Sequence, residues 1–328
     1  MSKIKTSAVL ARMDGQTETG MGRGTLVGYV SAVNTRTAQS GDTFLSVDCY
    51  GYYQNCGVEY TLGSEVFAND KGLMYFNFTL SGAQKDRALK LGLKEGFVVM
   101  VAGNLTRQSY TKKDGTPGYA VKLAAKGGFQ VVGLPDDEDQ KYKNMGVLSR
   151  KQGTTAPGVA EGGLIAYVSK VEEKQAKSGD KFLSINCYGY YNNNHGVDWA
   201  LGKEVYSNDK GLMYFTFTVS GPQMDRTNKL GLGEGHMVLV NGEFKTEKYT
   251  KNDGSEGVAV RCTARGGYQV VGWPNSGSAT PTTPTPATPA STPTPAPAPT
   301  PVADPTPVAP ANPAPATPVS TPDIQVPF

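Results

Sequence analysis

Long apolar runs are missing from this chain, and so are most of the residues that catalysis and metal binding draw on. No stretch of about 18 apolar residues occurs, which excludes a transmembrane helix. The histidines are two, His195 and His236, and the cysteines four, Cys49, Cys56, Cys187 and Cys262, with no CxxC spacing. A zinc site or disulfide framework is therefore not expected, and the cysteines read as reduced, partly buried thiols. The start, MSKIKTSAVLARMDG, holds too few apolar residues before Arg12 and Asp14 for a secretory core. The compartment reads as cytoplasmic, so the sequons at Asn77 and Asn104 carry no weight. Proline is scarce before Pro281, where only Pro117, Pro135, Pro157, Pro222 and Pro274 occur; the other 17 of 22 lie from Pro281 onward. Basic residues do the reverse, and no Lys or Arg follows Arg265. The 328 residues thus divide into a tyrosine- and glycine-rich body and a Pro/Thr/Ala tail. The net charge of +3 becomes +5 for the body once the tail acids Asp304 and Asp323 are set aside. That suits a polyanion-binding groove but falls well short of a polybasic chain.

What is present is one unit written twice. GYVSAVNTRTAQSGDTFLSVDCYGYY (28–53) returns as AYVSKVEEKQAKSGDKFLSINCYGYY (166–191), an offset of 138. After one inserted residue the match continues at offset 139. NDKGLMYFNFTLSG (69–82) becomes NDKGLMYFTFTVSG (208–221), YTKKDG (110–115) becomes YTKNDG (249–254), and KGGFQVVGLP (126–135) becomes RGGYQVVGWP (265–274). A period near 140 is too long for a solenoid, so each copy is a domain.

Within each copy the pattern is that of strands. FLSVDCYGYY alternates, with Leu45, Val47 and Cys49 on one face and Phe44, Asp48, Tyr50 and Tyr52 on the other. LMYFNFTLSG places Met74, Phe76, Phe78 and Leu80 inside and Tyr75, Asn77 and Thr79 outside. AQKDRALKLGLKEG (83–96) is the one helical stretch, with Ala88, Leu89 and Leu93 on a shared side. Two further strands follow, joined at Lys113-Asp114-Gly115, a hairpin turn signal. Two or three strands, a helix and two strands in about 110 residues match a five-stranded Greek-key barrel, the OB fold. The expected organisation is an N-terminal extension (1–23), a first barrel (24–135), a linker (136–161), a second barrel (162–274) and a disordered tail (275–328), with one helix per barrel. Fully extended, the linker spans up to ~85 Å, so the sequence sets no barrel spacing. The tail favours solvated polyproline II, with a contour of ~170 Å.

Tyrosine on the outward face of a half-buried strand is unusual, and flat aromatic faces with nearby cations are what single-strand binding needs. The stacking candidates are Tyr50, Tyr52, Tyr75 and Tyr110, with Tyr188, Tyr190, Tyr214 and Tyr249 in the second copy. Strand tyrosines can also serve only to pack against cross-strand neighbours, and core parity assigns Tyr53 and Tyr191 to that role. Phosphate candidates are Arg107, Lys112 and Lys113, and Lys245, Lys248 and Lys251, which flank the hairpins; charge in a turn is otherwise simply solvated. Enzyme signals are lacking. The GMGRG near Gly22 has no Walker lysine spacing and reads as a flexible entry. His195 and His236 occupy non-equivalent repeat positions, and Asp136, Asp137, Glu138 and Asp139 read as solvated linker charge. No cofactor or metal is expected.

The chain resembles the bacterial single-stranded DNA-binding proteins, in their duplicated, two-barrel type. The likeness rests on KEGFVVMVAGNLTRQSYTKKDGTPGYAVKL and GEGHMVLVNGEFKTEKYTKNDGSEGVAVRC, and covers residues 24–133 and 162–272. It implies that Tyr110 and Tyr249 stack on bases, and that two chains form a homodimer of four barrels. The end, TPDIQVPF, is similar to the family's acidic Pro-Phe tip, with Asp323, Pro327 and Phe328 matching and the usual acidic run reduced to one Asp. That likeness implies recruitment of replication, recombination and repair proteins. The expected function is largely sequence-independent binding of single-stranded DNA in a bacterial cytoplasm, by a protein that is not an enzyme and not membrane-bound. Two alternatives remain: a replication-initiation or plasmid accessory OB protein, and a structural or protein-interaction module that binds no DNA.

Overall fold

The computed structural model of the chain describes residues 5–135, 142–191, 196–250 and 253–274. The first repeat contains β1 (Ser7–Arg12), β2 (Met21–Thr37), β3 (Thr43–Tyr52), β4 (Leu73–Leu80), β5 (Val98–Thr111) and β6 (Pro117–Gly133). They form one sheet in the order β1-β2-β3-β4-β6-β5, and β2 pairs again with β5 to close it. All pairings are antiparallel except β4 with β6, registered from Phe76↔Val121 to Phe78↔Leu123. Strands β2 to β6 are the five-stranded OB barrel, and β1 is a sixth strand laid along the start of β2. The second repeat reproduces this with β7 (Met145–Arg150), β8 (Val159–Gln175), β9 (Lys181–Tyr190), β10 (Leu212–Ser220), β11 (Met237–Thr250) and β12 (Glu256–Gly272). Among the described residues the α-helices are α1 (Val58–Leu62), α2 (Gly82–Lys90), α3 (Val197–Leu201) and α4 (Gly221–Leu230).

Strand parity explains the cores. Leu45, Val47, Cys49, Met74, Phe76 and Phe78 are all buried, while the residues between them on β4 face outward. Tyr53 and Tyr191 are fully buried, as their parity requires, and each hydroxyl donates to a backbone carbonyl of β2 or β8. Strand β2 serves two partners within the barrel, besides β1 along its outer edge. Its first half pairs with β5 and its second with β3, and a register shift at Val30/Ala32 turns the chain between them.

Several expectations are corrected. Helix α2 ends at Lys90, so Leu93 lies beyond it; Ala88 and Leu93 are buried, but Leu89 is exposed and does not join them. A second short helix, α1, lies between β3 and β4; five residues bracketed by Gly57 and Gly63 give too little sequence for a helical period. The stretch around Gly22 is no flexible entry but the ordered start of β2. Segments 1–23 and 136–161, expected as extension and linker, contribute β1 and β7. SAVLAR and MGVLSR stand 138 residues apart, so the repeat begins upstream of residue 24.

Strands β1 and β7 carry the contact between the barrels. A side chain at Gly266 on β12 would meet the Leu10 carbonyl of β1, and one at Gly127 on β6 would meet the Leu148 carbonyl of β7. The contacts are reciprocal, so the barrels pack about an approximate two-fold axis. A third apolar cluster fills the boundary, with Val9, Val27, Val98 and Met100 from one repeat and Val147, Ile165, Met237 and Leu239 from the other. The four cysteines are free thiols, three of them buried. No described helix is long and apolar enough to cross a membrane.

Candidate nucleic-acid interface

On the outward face of each barrel three tyrosines from three strands stand in register. Tyr29 of β2 pairs with Tyr50 of β3, and Tyr50 with Tyr75 of β4. The first two rings are stacked at 5.6 Å with planes 26° apart, and the next pair lies at 6.4 Å and 44°. Tyr167, Tyr188 and Tyr214 repeat the row at 5.6 and 6.2 Å. Cross-strand aromatic pairs contribute ~0.5–1.5 kcal/mol beyond burial. Packing therefore accounts for the inner rings but not for Tyr75, which keeps 52% of its surface in water. Tyr52 and Tyr190, two residues beyond the row, are also exposed. The second row is tighter: Tyr188 is 6% exposed between Tyr167 and Tyr214, so its ring supports its neighbours and presents little face of its own. Burial pushes the Tyr29, Tyr188 and Tyr214 hydroxyls above their ordinary range, and nearby tyrosines add to it, so these rings stay neutral.

The hairpins bring the second pair of aromatics. Tyr110 lies directly across from Gly118, and Tyr249 from Gly257. A side chain at either glycine would come within about 2.6 Å of the tyrosine ring, so the ring lies flat over bare backbone with its other face open. Tyr110 is 51% exposed. Thr116 donates its amide and hydroxyl to the Asp114 carboxylate, which orders the turn and holds that carboxyl below its usual range.

The cations are not equivalent. Arg107, a phosphate candidate, is engaged: it pairs with Glu65 at 2.9 Å, donates to the Leu62 carbonyl and covers the Tyr119 ring. Its guanidinium ties the segment after α1 to β5. Lys112 and Lys113 are exposed in the turn. Lys245 pairs with Glu243 at 3.1 Å and Lys248 with Glu256 at 3.5 Å; the second pair is fully exposed, where such pairs contribute little. Lys251, and Asp323, Pro327 and Phe328 of the terminal tip, lie outside the described residues, as do His195 and the acidic run 136–139.

Four aromatics escaped the sequence reading. Tyr29 and Tyr167 occur in both copies of the strongest repeat segment, and their opposite-strand partners were the missing signal. Tyr60 on α1 and Trp199 on α3 hold equivalent positions and are 66% and 57% exposed. Arg12 lies 4.1 Å from the Tyr60 ring centre, and Arg150 4.5 Å from that of Trp199, leaving one face of each ring open. Each arginine also donates to the backbone carbonyl of the residue it covers.

No family model and no curated protein sequence matches the chain. Among solved structures, the single-stranded DNA binding protein of Thermus aquaticus aligns at 13% identity over 80% of this chain and 97% of its own, with a TM-score of 0.21. The small single-stranded DNA-binding protein of Streptomyces coelicolor aligns at 13% identity over 33% of this chain and 90% of its own, with a TM-score of 0.23. A Plasmodium falciparum SSB complex with single-stranded DNA gives 12% identity over 37% and 98%, at a TM-score of 0.22. Likeness at this level carries no weight for what the present chain binds.

Proposed function

We propose that this chain binds single-stranded DNA with little sequence preference. The observation that carries the reading is the outward tyrosine row, present on both barrels and flanked by hairpins that each lay a further tyrosine flat and open. Stacking on aromatics contributes ~1–3 kcal/mol per base and tolerates any base, so rows of rings suit sequence-independent binding. Tyr60 and Trp199, exposed and each backed by an arginine, serve as further platforms. Lys112, Lys113 and Lys248 supply phosphate contacts. In this reading the protein covers single strands during replication, recombination or repair. Two chains assemble four barrels, a state read as twice the 34.8 kDa chain mass in sedimentation equilibrium. The terminal Pro327-Phe328 recruits partner proteins; deleting both residues leaves DNA affinity intact and abolishes partner pull-down, and the opposite pattern refutes recruitment.

The direct test is titration with labelled oligo(dT) by fluorescence anisotropy across a salt series. The expected result is tight binding whose log affinity falls by about 0.7 per phosphate contact for each decade of salt. Absent or salt-insensitive binding overturns the reading and favours a protein-interaction module. In a Trp273→Phe variant Trp199 is the single tryptophan, and oligo(dT) should quench it. Binding by anisotropy without quenching removes α3 from the interface and leaves the rest standing.

A further inference from the structure

The repeat offset makes Glu161 the counterpart of Arg23 and Gly163 the counterpart of Thr25. In the folded chain each of these residues meets its own counterpart across the boundary between the barrels. Arg23 Nη1 lies 3.7 Å from a Glu161 carboxylate oxygen, while its Nη2 donates to Asp14 of its own repeat at 3.1 Å. A Cβ placed on Gly163 would lie 2.2 Å from Thr25 Oγ1, closer than any real contact allows. Residues that touch their own repeat equivalents lie beside the approximate two-fold axis, where a symmetric pair of barrels would set each residue against a copy of itself.

At both positions the repeats have diverged in a complementary sense: positive against negative, branched against bare backbone. The divergence extends one step further. The buried Thr25 hydroxyl donates to the Asn241 side-chain carbonyl at 2.9 Å. The counterparts of that pair are Gly163 and Ala102, so the bond exists on one side of the axis and has no twin on the other. Lys126 reinforces the charge pairing, 3.9 Å from Glu161.

We propose that this boundary selects its partner: each barrel accepts the other repeat and rejects a copy of itself. Two first barrels would bring Arg23 against Arg23 and Thr25 against the space that only a glycine leaves open. Two second barrels would bring Glu161 against Glu161 and leave an unfilled gap at Gly163. Duplication followed by this divergence commits the surface to mating between unlike repeats. A like-with-like contact between two copies of the chain is thereby closed off, and any assembly of chains uses other faces. Specificity of this kind is built as much by disfavouring the wrong pair as by favouring the right one.

The test places like-with-like contacts inside the intact chain. Gly163→Thr sets threonine against threonine, Arg23→Glu sets glutamate against glutamate, and Glu161→Arg sets arginine against arginine. Gly163 does not have the left-handed backbone conformation, so a side chain there is opposed by Thr25 and not by its own φ. Each single variant should lower the Tm by on the order of 5 °C. The compensating exchanges Thr25→Gly/Gly163→Thr and Arg23→Glu/Glu161→Arg should be more stable than the sums of their single effects. If Gly163→Thr fails to fold, the Arg23/Glu161 cycle decides alone: its double variant carries the same two side chains as the parent, and loss of the Arg23–Asp14 pair is common to Arg23→Glu and to the double variant and so cancels. Single variants within a degree of the parent, or double variants whose losses simply add, overturn the proposal.

Discussion

A tyrosine on a strand can hold a sheet together or offer a ring to a ligand, and in this chain the two roles fall to neighbouring residues. Tyr188 is closed in by Tyr167 and Tyr214, whereas Tyr75, Tyr110 and Tyr249 keep about half their surface free. Mutating the free rings therefore tests function with little disturbance of the core. Tyr110→Ala with Tyr249→Ala should weaken oligo(dT) binding by ~1–3 kcal/mol per ring, about 5- to 150-fold each, with the Tm unchanged. An unaltered Kd in anisotropy titration would remove the hairpin tyrosines from the interface and leave the fold in place. The outward placement of Tyr50, Tyr52 and Tyr75 was legible from alternation alone. That Tyr29 completes the row was not, because it sits on a different strand and only the β2–β3 register brings it opposite Tyr50.

Among the elements, β11 shows how a strand can carry a group whose charge matters for stability. Glu243 is nearly buried on it, and burial raises its carboxyl pKa; the bonds from Lys151 at 2.7 Å and Lys245 at 3.1 Å outweigh that, and the net shift is downward. A depressed folded pKa means that stability from this group is present above the unfolded value, about 4.3, and is lost as pH falls through the folded one. Thermal unfolding followed from pH 6 to pH 3 should show the parent losing more Tm than Glu243→Gln across that window. Parallel curves would show that the Lys151 and Lys245 pairs contribute nothing to folding. The elements missed in the sequence share a cause. β1 and β7 are six residues each and largely buried on both faces, so they do not alternate, and α1 spans five residues, less than two turns. Period-based reading needs a solvent face or a longer span to register such pieces.

On the scale of the whole molecule the barrels are not beads on a string. An extended connector would have allowed a separation of tens of ångströms. Instead β7 emerges from the expected linker, Tyr142 joins the boundary cluster, and its hydroxyl donates to the Lys5 carbonyl near the other end of the body. The candidate cations changed most between sequence and structure. Arg107 reads as a free hairpin charge along the chain, yet folding spends it on Glu65 and Leu62, 42 and 45 residues away. The sequence by itself determined the duplication, the barrel core and the outward tyrosines, because strand parity and repetition are written in short windows and survive without tertiary knowledge. Only the tertiary structure decided which rings share a row, which described cations hold a carboxylate, and that Arg23 and Thr25 meet Glu161 and Gly163. Those outcomes depend on packing between segments as much as 138 residues apart, and no local pattern encodes which distant surface a side chain will face.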